Sequence, residues 1–273
     1  MKTCKNIFRL ILLFFIFLQS PTGFTEQVSI PAGSFQMGCS LDDNACETDE
    51  GPAGGTMVVV PAFMIDTFEV TVSKYRQCVN NGNCTRPIDY KRNKYCNYDA
   101  PGRDNHPVNC LAWQQAQDYC YSTNQRLPRE AEWEKAARAG STARYPWGQE
   151  VTCKQAVLDD GVTRGSAGDE TDGCGEDHTW PAGSHEPNAL GLYDMHGNAG
   201  EWTANWYTPD AIWNYYAKVD LDGPAMGKRR VVRGGSWDEI RNNLRSSYRN
   251  AKAPDQGNNI YGSIGFRCAA DLQ

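Results

Sequence analysis

Arg126-Leu127-Pro128-Arg129-Glu130-Ala131-Glu132-Trp133-Glu134-Lys135-Ala136-Ala137-Arg138 reads as one short helix with a single apolar face. Pro128 suits a first helical turn, because its fixed φ is helical and its missing N–H would have had no partner inside the helix. Gly140 supplies the stop, and Trp133, Ala136 and Ala137 fall on one side, which therefore faces a core. Moving toward the amino terminus, Asn109 can cap a helix from Cys110 to about Ser122, with Trp113, Ala116 and Cys120 on its buried face. Thr71 can cap another from Val72 to about Val79. Val28–Ile30 and Phe35–Met37 look like short strands around Pro31-Ala32-Gly33, a hairpin signal, and 56–65 is β-rich but broken by Pro61. Moving toward the carboxy terminus, Gly, Asp, Asn and Pro dominate 148–188, and short strands return at Val231–Arg233 and Gly265–Ala269. The pattern predicts a single α+β domain over 26–273 with low regular secondary structure.

The chain has 273 residues, 40% hydrophobic and 22% charged, with 11 Cys and 8 Trp, which excludes disordered, collagenous and polytopic membrane classes. A net charge of -6 argues against a nucleic-acid partner. Lys2, Lys5 and Arg9 precede the apolar run Leu10–Leu18, which is too short to cross a bilayer. Residues 1–25 therefore read as a signal peptide cleaved near Gly23 or Thr25, with no transmembrane anchor, and the mature protein as secreted or periplasmic. Removing the leader also removes Cys4 and leaves ten cysteines. Cys39 and Cys46, Cys78 and Cys84, and Cys96 and Cys110 are near neighbours, and Cys153 and Cys174 flank a Gly/Asp-rich loop. Local pairing would leave Cys120 for Cys268, closing a loop worth about 3 to 5 kcal/mol in the chain-entropy model. That connectivity is the simplest of many, and spacing alone does not select it. With no Cys-x-x-Cys and no His beside a cysteine pair, zinc and thioredoxin-like chemistry are disfavoured.

Asp194-Met195-His196-Gly197-Asn198-Ala199-Gly200-Glu201-Trp202 offers two carboxylates and an amide among glycines, an oxygen supply suited to calcium; the same glycines also permit a tight turn without metal. Asp169-Glu170-Thr171-Asp172-Gly173 fits the EF-hand spacing poorly and reads as a solvated turn. The segment from Lys228 onward carries nine Lys+Arg against four Asp+Glu, whereas 26–227 is strongly acidic. Either these cations pair with acidic loops of the same domain, or they form a face for an anionic ligand. Asn83-Cys84-Thr85 matches a glycosylation sequon.

Taken in order, several segments resemble the formylglycine-generating enzyme family, also called the sulfatase-modifying factor family. They are Ile30-Pro31-Ala32-Gly33-Ser34-Phe35-Gln36-Met37-Gly38, Glu69-Val70-Thr71-Val72-Ser73-Lys74-Tyr75, the 126–138 helix, and Tyr145-Pro146-Trp147-Gly148. Gly191-Leu192-Tyr193-Asp194, Glu201-Trp202-Thr203, Arg233-Gly234-Gly235-Ser236-Trp237 and Gly265-Phe266-Arg267-Cys268-Ala269 continue the series, which spans about 28–270. The resemblance implies an α+β domain of C-type-lectin-like ancestry with structural calcium. It places Asp194 at a side-chain ligand, Gly197 and Ala199 at backbone-carbonyl ligands, Glu201 at a carboxylate near the ion, and Cys120 with Cys268 in a disulfide. A second calcium site is put in doubt by Val157, which stands where the family has Asn, although Asp159, Asp160 or Asp172 could substitute.

The family's oxidases hold copper with two cysteines, placed three residues after the Gly-Gly-Ser serine and five further on; two thiolates suit Cu(I) because both are soft. Glu239 and Leu244 occupy those positions here, and Gly200 replaces a bulky residue, so copper is not expected and formylglycine generation is disfavoured. His178, His185 and His196 make no catalytic set by spacing, and Ser236 lacks a nucleophile elbow. No catalytic residue is assigned. The resemblance sets Ser236 beside a peptide-binding cleft, with Trp237 and Arg245 as neighbouring ligand-binding candidates; Arg245 equally suits a core-satisfying role.

Three readings follow. The first is an exported, noncatalytic family member, a pseudoenzyme that binds a peptide, glycan or small anion. The second is an enzyme of altered oxidative chemistry in the same cleft. The third is a lectin-fold binding protein diversified by a retroelement, suggested by Asn242, Asn243, Asn250, Asn258 and Asn259. Asn is also ordinary loop chemistry.

Overall fold

The computed structural model describes residues 27–87, 93–162, 172–255 and 262–272. The expected signal peptide, Asp169, Glu170, Thr171, Asn258 and Asn259 lie outside the described residues. Strand β1 (Gln27–Ile30) and strand β2 (Gly33–Met37) do not form the expected hairpin. β1 pairs antiparallel with β4 (Phe63–Asp66), and β2 with β3 (Thr56–Val60). Ile30 opposes Phe63 and Gly33 opposes Val60, so one register runs through both pairs. Pro31 and Pro61 sit at the interruption, where each lacks the N–H that a continuous ladder needs. The result is one bent ribbon divided between two sheets, its corner held by Lys135 Nζ on the carbonyls of Pro31 (2.6 Å) and Gly33 (3.1 Å).

Helix α1 (Val72–Asn80) follows, and Thr71 Oγ1 accepts from the Lys74 N–H as an N-cap should. Helix α2 (Trp113–Ser122) opens three residues later than expected. Cys110 sits at φ 59°, a left-handed conformation that cannot begin a helix, and it is bonded to Cys96. Asn109 is therefore no cap; it accepts from Asn97 N–H (2.7 Å) and donates to the Tyr95 carbonyl (2.8 Å). Helix α3 (Glu130–Arg138) also begins late, because Glu132 takes the Arg129 N–H (2.8 Å) and Asn205 Oδ1 takes that of Glu130 (2.7 Å). Trp133, Ala136 and Ala137 are fully buried, as the helical spacing requires.

A four-stranded sheet runs β7 (Asn250–Lys252), β6 (Arg230–Arg233), β5 (Gly200–Trp206), β8 (Ile264–Gly265). β5, absent from the sequence reading, is one of its two inner strands, antiparallel to β6 and parallel to β8. The expected strand over Gly265–Ala269 divides, since β9 (Ala269–Asp271) joins the other side of β4. Between β8 and β9, Arg267 turns inward to Glu201 and Cys268 is bonded to Cys120, so this stretch crosses from one sheet to another. Two main cores result. Trp133 packs with Met37, Val58, Val60 and Ile65, and Tyr75 with Tyr119, Trp202 and Phe266. All ten described cysteines form disulfides, Cys39–Cys46, Cys78–Cys84, Cys96–Cys110, Cys153–Cys174 and Cys120–Cys268, the local pairing set out above. Among the described residues, no helix is long and apolar enough to cross a membrane.

Candidate functional site

Helix α3 presents Glu130 and Glu134 to arginines delivered from the carboxy-terminal segment. Glu130 accepts from Arg249 Nε (2.7 Å) and Nη2 (2.9 Å) and from the Tyr216 hydroxyl (2.8 Å). Glu134 accepts from Arg138 Nε (2.8 Å), from the Gly38 N–H (2.7 Å) and from Arg233. Burial pushes the Glu130 carboxyl up, but Arg249 and Arg233 outweigh it and hold the group below its ordinary range. Most of the carboxy-terminal arginines are thus spent inside the domain, and a further one, Arg230, lies 3.6 Å from the ring centroids of both Trp113 and Trp206.

The loop before β5 is built differently. Asp194, Gly197 and Asn198 all take positive φ, and a Cβ on Gly197 would lie 2.2 Å from the Val157 carbonyl oxygen. Glu69, which the sequence reading missed as a site residue, accepts from Asn198 Nδ2 (2.6 Å) and the Ala199 N–H (2.9 Å). Asp194 Oδ2 accepts from the Gly183 N–H (2.6 Å). Glu201 accepts from Trp133 Nε1 (2.7 Å) and from Arg267 Nε (2.8 and 2.9 Å). Arg267 also donates to the Asp66, Thr67 and Tyr193 carbonyls. Three buried carboxylates thus share one guanidinium. Burial pushes Glu69 well above the usual carboxylate range, reinforced by Asp194 and Glu201, and burial raises Asp194 as well.

Such a surplus of buried carboxylate oxygen matches the donor chemistry of a hard cation at Asp194. Glu201 fits beside such an ion, because Arg267 and Trp133 already engage its oxygens. Among the described residues, no group of three or more His, Cys, Asp and Glu side chains is arranged to hold a metal. At the doubtful second calcium position, Val157 is buried, Asp159 accepts from the Gly161 N–H and Asp160 from the Val162 N–H.

Ser236, Trp237 and Arg245 are each 1% exposed, so the structure puts all three ligand candidates beneath the surface. Arg245 meets Glu50 Oε2 (2.5 Å) and Oε1 (2.7 Å) and Asp43 (3.1 Å), the core-satisfying alternative. Trp237 lies against Tyr95, with ring centroids 5.2 Å apart. Gly235 has φ 69° and allows close passage of the Asn243 carbonyl, which would be 2.6 Å from an added Cβ. Leu244 is fully buried with Tyr145, Val151, Ala156 and Leu158. Glu239 is half-buried; its Oε1 accepts from Asn250 Nδ2 (3.3 Å), and its Oε2 is buried with no hydrogen-bond partner among the described residues. Burial raises its pKa to about 6, against the opposing pull of Lys252, Asn250 and Asn243. The histidines do not converge. His196 is buried among Trp133, Tyr145 and Trp147, where burial lowers it to about 4; His185 stacks on Trp180, and His178 packs edge-on against His106.

Residues 17–272 match the family described as the sulfatase-modifying factor enzyme 1-like domain. The chain is 36% identical to the formylglycine-generating enzyme of Streptomyces coelicolor, covering 92% of this chain and 91% of that protein. It is 29% identical to the inactive C-alpha-formylglycine-generating enzyme 2 of Bos taurus, over 90% of this chain and 88% of that protein. Among solved structures, PvdO from Pseudomonas aeruginosa superposes with a TM-score of 0.69 at 29% identity, covering 92% of this chain and 96% of PvdO. The motifs, the mixed fold and these likenesses agree: the chain belongs to the sulfatase-modifying factor (formylglycine-generating enzyme) family.

Proposed function

We propose that the protein is an extracytoplasmic binding module of this family, recognising a peptide or glycan, and not a copper oxidase. One observation carries the reading. The two positions spaced for the oxidase cysteines hold Glu239 and Leu244, and every described cysteine is already in a disulfide. Neither a carboxylate nor a buried leucine offers the soft sulfur pair that Cu(I) needs. A relative named as an inactive formylglycine-generating enzyme supports the reading. Five disulfides are consistent with an oxidising compartment. A small anion is the weaker ligand, because Arg233, Arg245, Arg249 and Arg267 face internal carboxylates. The test is a metal analysis of the purified exported protein with a thiol-peptide oxygen-consumption assay. Stoichiometric copper with oxygen uptake would overturn the reading, and saturable binding on peptide or glycan arrays without either would support it.

Structural calcium belongs to the same proposal. Asp194, with the carbonyls of Gly197 and Ala199, would hold the ion, and Glu201 would stand beside it. When bound, calcium would supply the positive charge that the carboxylates Glu69, Asp194 and Glu201 lack. Raised Glu69 and Asp194 carboxyls support this assignment.

A further inference from the structure

We infer that Glu239 is the contact for a positively charged side chain, lysine or arginine, of a peptide ligand. This rests on the peptide-binding reading above and names the chemistry the site would select. Three observations meet at this residue. Its Oε2 is buried with no hydrogen-bond partner among the described residues, a costly state for an acceptor unless something outside the chain supplies a donor. Amide side chains flank it, with Asn250 Nδ2 on Oε1 at 3.3 Å and Asn243 close enough to lower the carboxyl's pKa. Asn250 belongs to β7, an edge strand whose partner among the described strands is β6, which leaves its outer edge for an extended peptide.

Charge complementarity selects the cation. The chain carries a net charge of -6, and Arg233, Arg245 and Arg249, which come from the segment around Glu239, are paired with Glu134, Glu50 and Glu130. Lys252 of β7 acts on Glu239 from a distance, and among the described residues no ion pair within 4 Å joins them. Tyr248 is the other titratable group acting on it; burial and then Glu239 itself push the phenol up, so it stays protonated near neutrality. A carboxyl raised to about 6 is mostly protonated at pH 5 and mostly ionised at pH 7. A lysine or arginine ligand keeps its charge over that interval, so affinity should follow ionisation of Glu239 and rise with pH.

The experiment pans a random-peptide phage library against the full exported protein in calcium. The result expected is a lysine or arginine fixed at one position of the recovered peptides. A synthetic histidine-free member should bind about tenfold more tightly at pH 7 than at pH 5, in proportion to the ionised fraction of a group with a pKa near 6. Glu239→Gln should lose that gain and flatten the pH profile. Lys252→Gln, which removes the competing internal cation, should strengthen binding by about two- to fivefold. Recovered peptides without a basic position, or equal binding by Glu239→Gln, would overturn the role of Glu239 while leaving peptide binding intact. Recovery of no peptide would overturn both. Near-UV circular dichroism checks the fold of Glu239→Gln; if that variant does not fold, unchanged binding by Lys252→Gln overturns the inference by itself.

Discussion

Two groups of buried carboxylates, alike in depth, differ in company. Glu130, Glu134 and Glu50 each face an arginine at hydrogen-bond distance. Glu69, Asp194 and Glu201 share the one guanidinium of Arg267. In the first group the guanidiniums overcome burial and Glu130 is held low; in the second, burial wins and Glu69 and Asp194 rise. Burial therefore does not set protonation by itself; the number of opposing charges does. The first group is complete as folded. The second leaves carboxylate charge unbalanced, which is the basis of the calcium proposal.

The largest effect should come from breaking the complete group. Arg249→Met strands Glu130 and should cost about 3 to 5 kcal/mol of unfolding free energy in urea. A loss below about 1 kcal/mol would show that the two groups do not differ. Next in size is calcium itself. At a hundredfold excess over its dissociation constant, calcium should add about 2.7 kcal/mol, read as a fall in Tm on chelation. Asp194→Ala should abolish that fall, and Arg249→Met should keep it. If chelation leaves Tm unchanged, the loop is a turn without metal.

The pH response separates the groups by sign. Glu130 has a lowered folded pKa, so its contribution is present above the unfolded carboxyl value of about 4.3 and fades as pH falls through the folded one. Glu69 and Asp194 have raised folded values, so in chelator they subtract stability progressively as pH climbs from about 4 through those values. Melting curves from pH 4 to 8 should therefore slope downward toward neutrality in chelator and flatten when calcium is restored. The smallest effect tests the surplus charge directly. Glu69→Gln in chelator should move stability by less than about 1 kcal/mol, because a removed charge offsets a weakened hydrogen bond. The same change at Glu130 should rank with Arg249→Met.

Helix α3 and its buried face were legible because Trp133, Ala136 and Ala137 repeat at helical spacing and the face is continuous. Its start was not, because the side chains of Glu132, from within the first turn, and of Asn205, from a distant strand, take the N–H groups of Arg129 and Glu130. The bent ribbon escaped for a related reason: Pro31 and Pro61 are 30 positions apart in sequence and come to the same corner only after pairing. β5 was hidden beneath the glycine-rich stretch that drew attention as a cation loop, although Trp202, Ala204 and Trp206 alternate along it. At the site, Asp194 and Glu201 were readable from local composition. Glu69 and Arg267 were not recognised as their partners, because each enters from a distant segment and neither looks unusual in its own motif. Ser236 and Trp237 followed from resemblance, which carries position along the chain but not depth below the surface.

The arrangement of β1, β4 and β9 has a consequence for biogenesis. The first and last described strands lie on either side of β4, two strand spacings or about 10 Å apart. A chain emerging from its amino end can form β1 and β4 early, but β9, Cys268 and Arg267 come far later in the sequence. Until they arrive, β4 has one bare edge, Cys120 carries a free thiol awaiting a partner 148 residues away, and Glu201 lies without its guanidinium. The seal, the disulfide to Cys120 and the neutralising arginine are delivered together by the single short segment 267–271, so the domain closes only when that segment is in place.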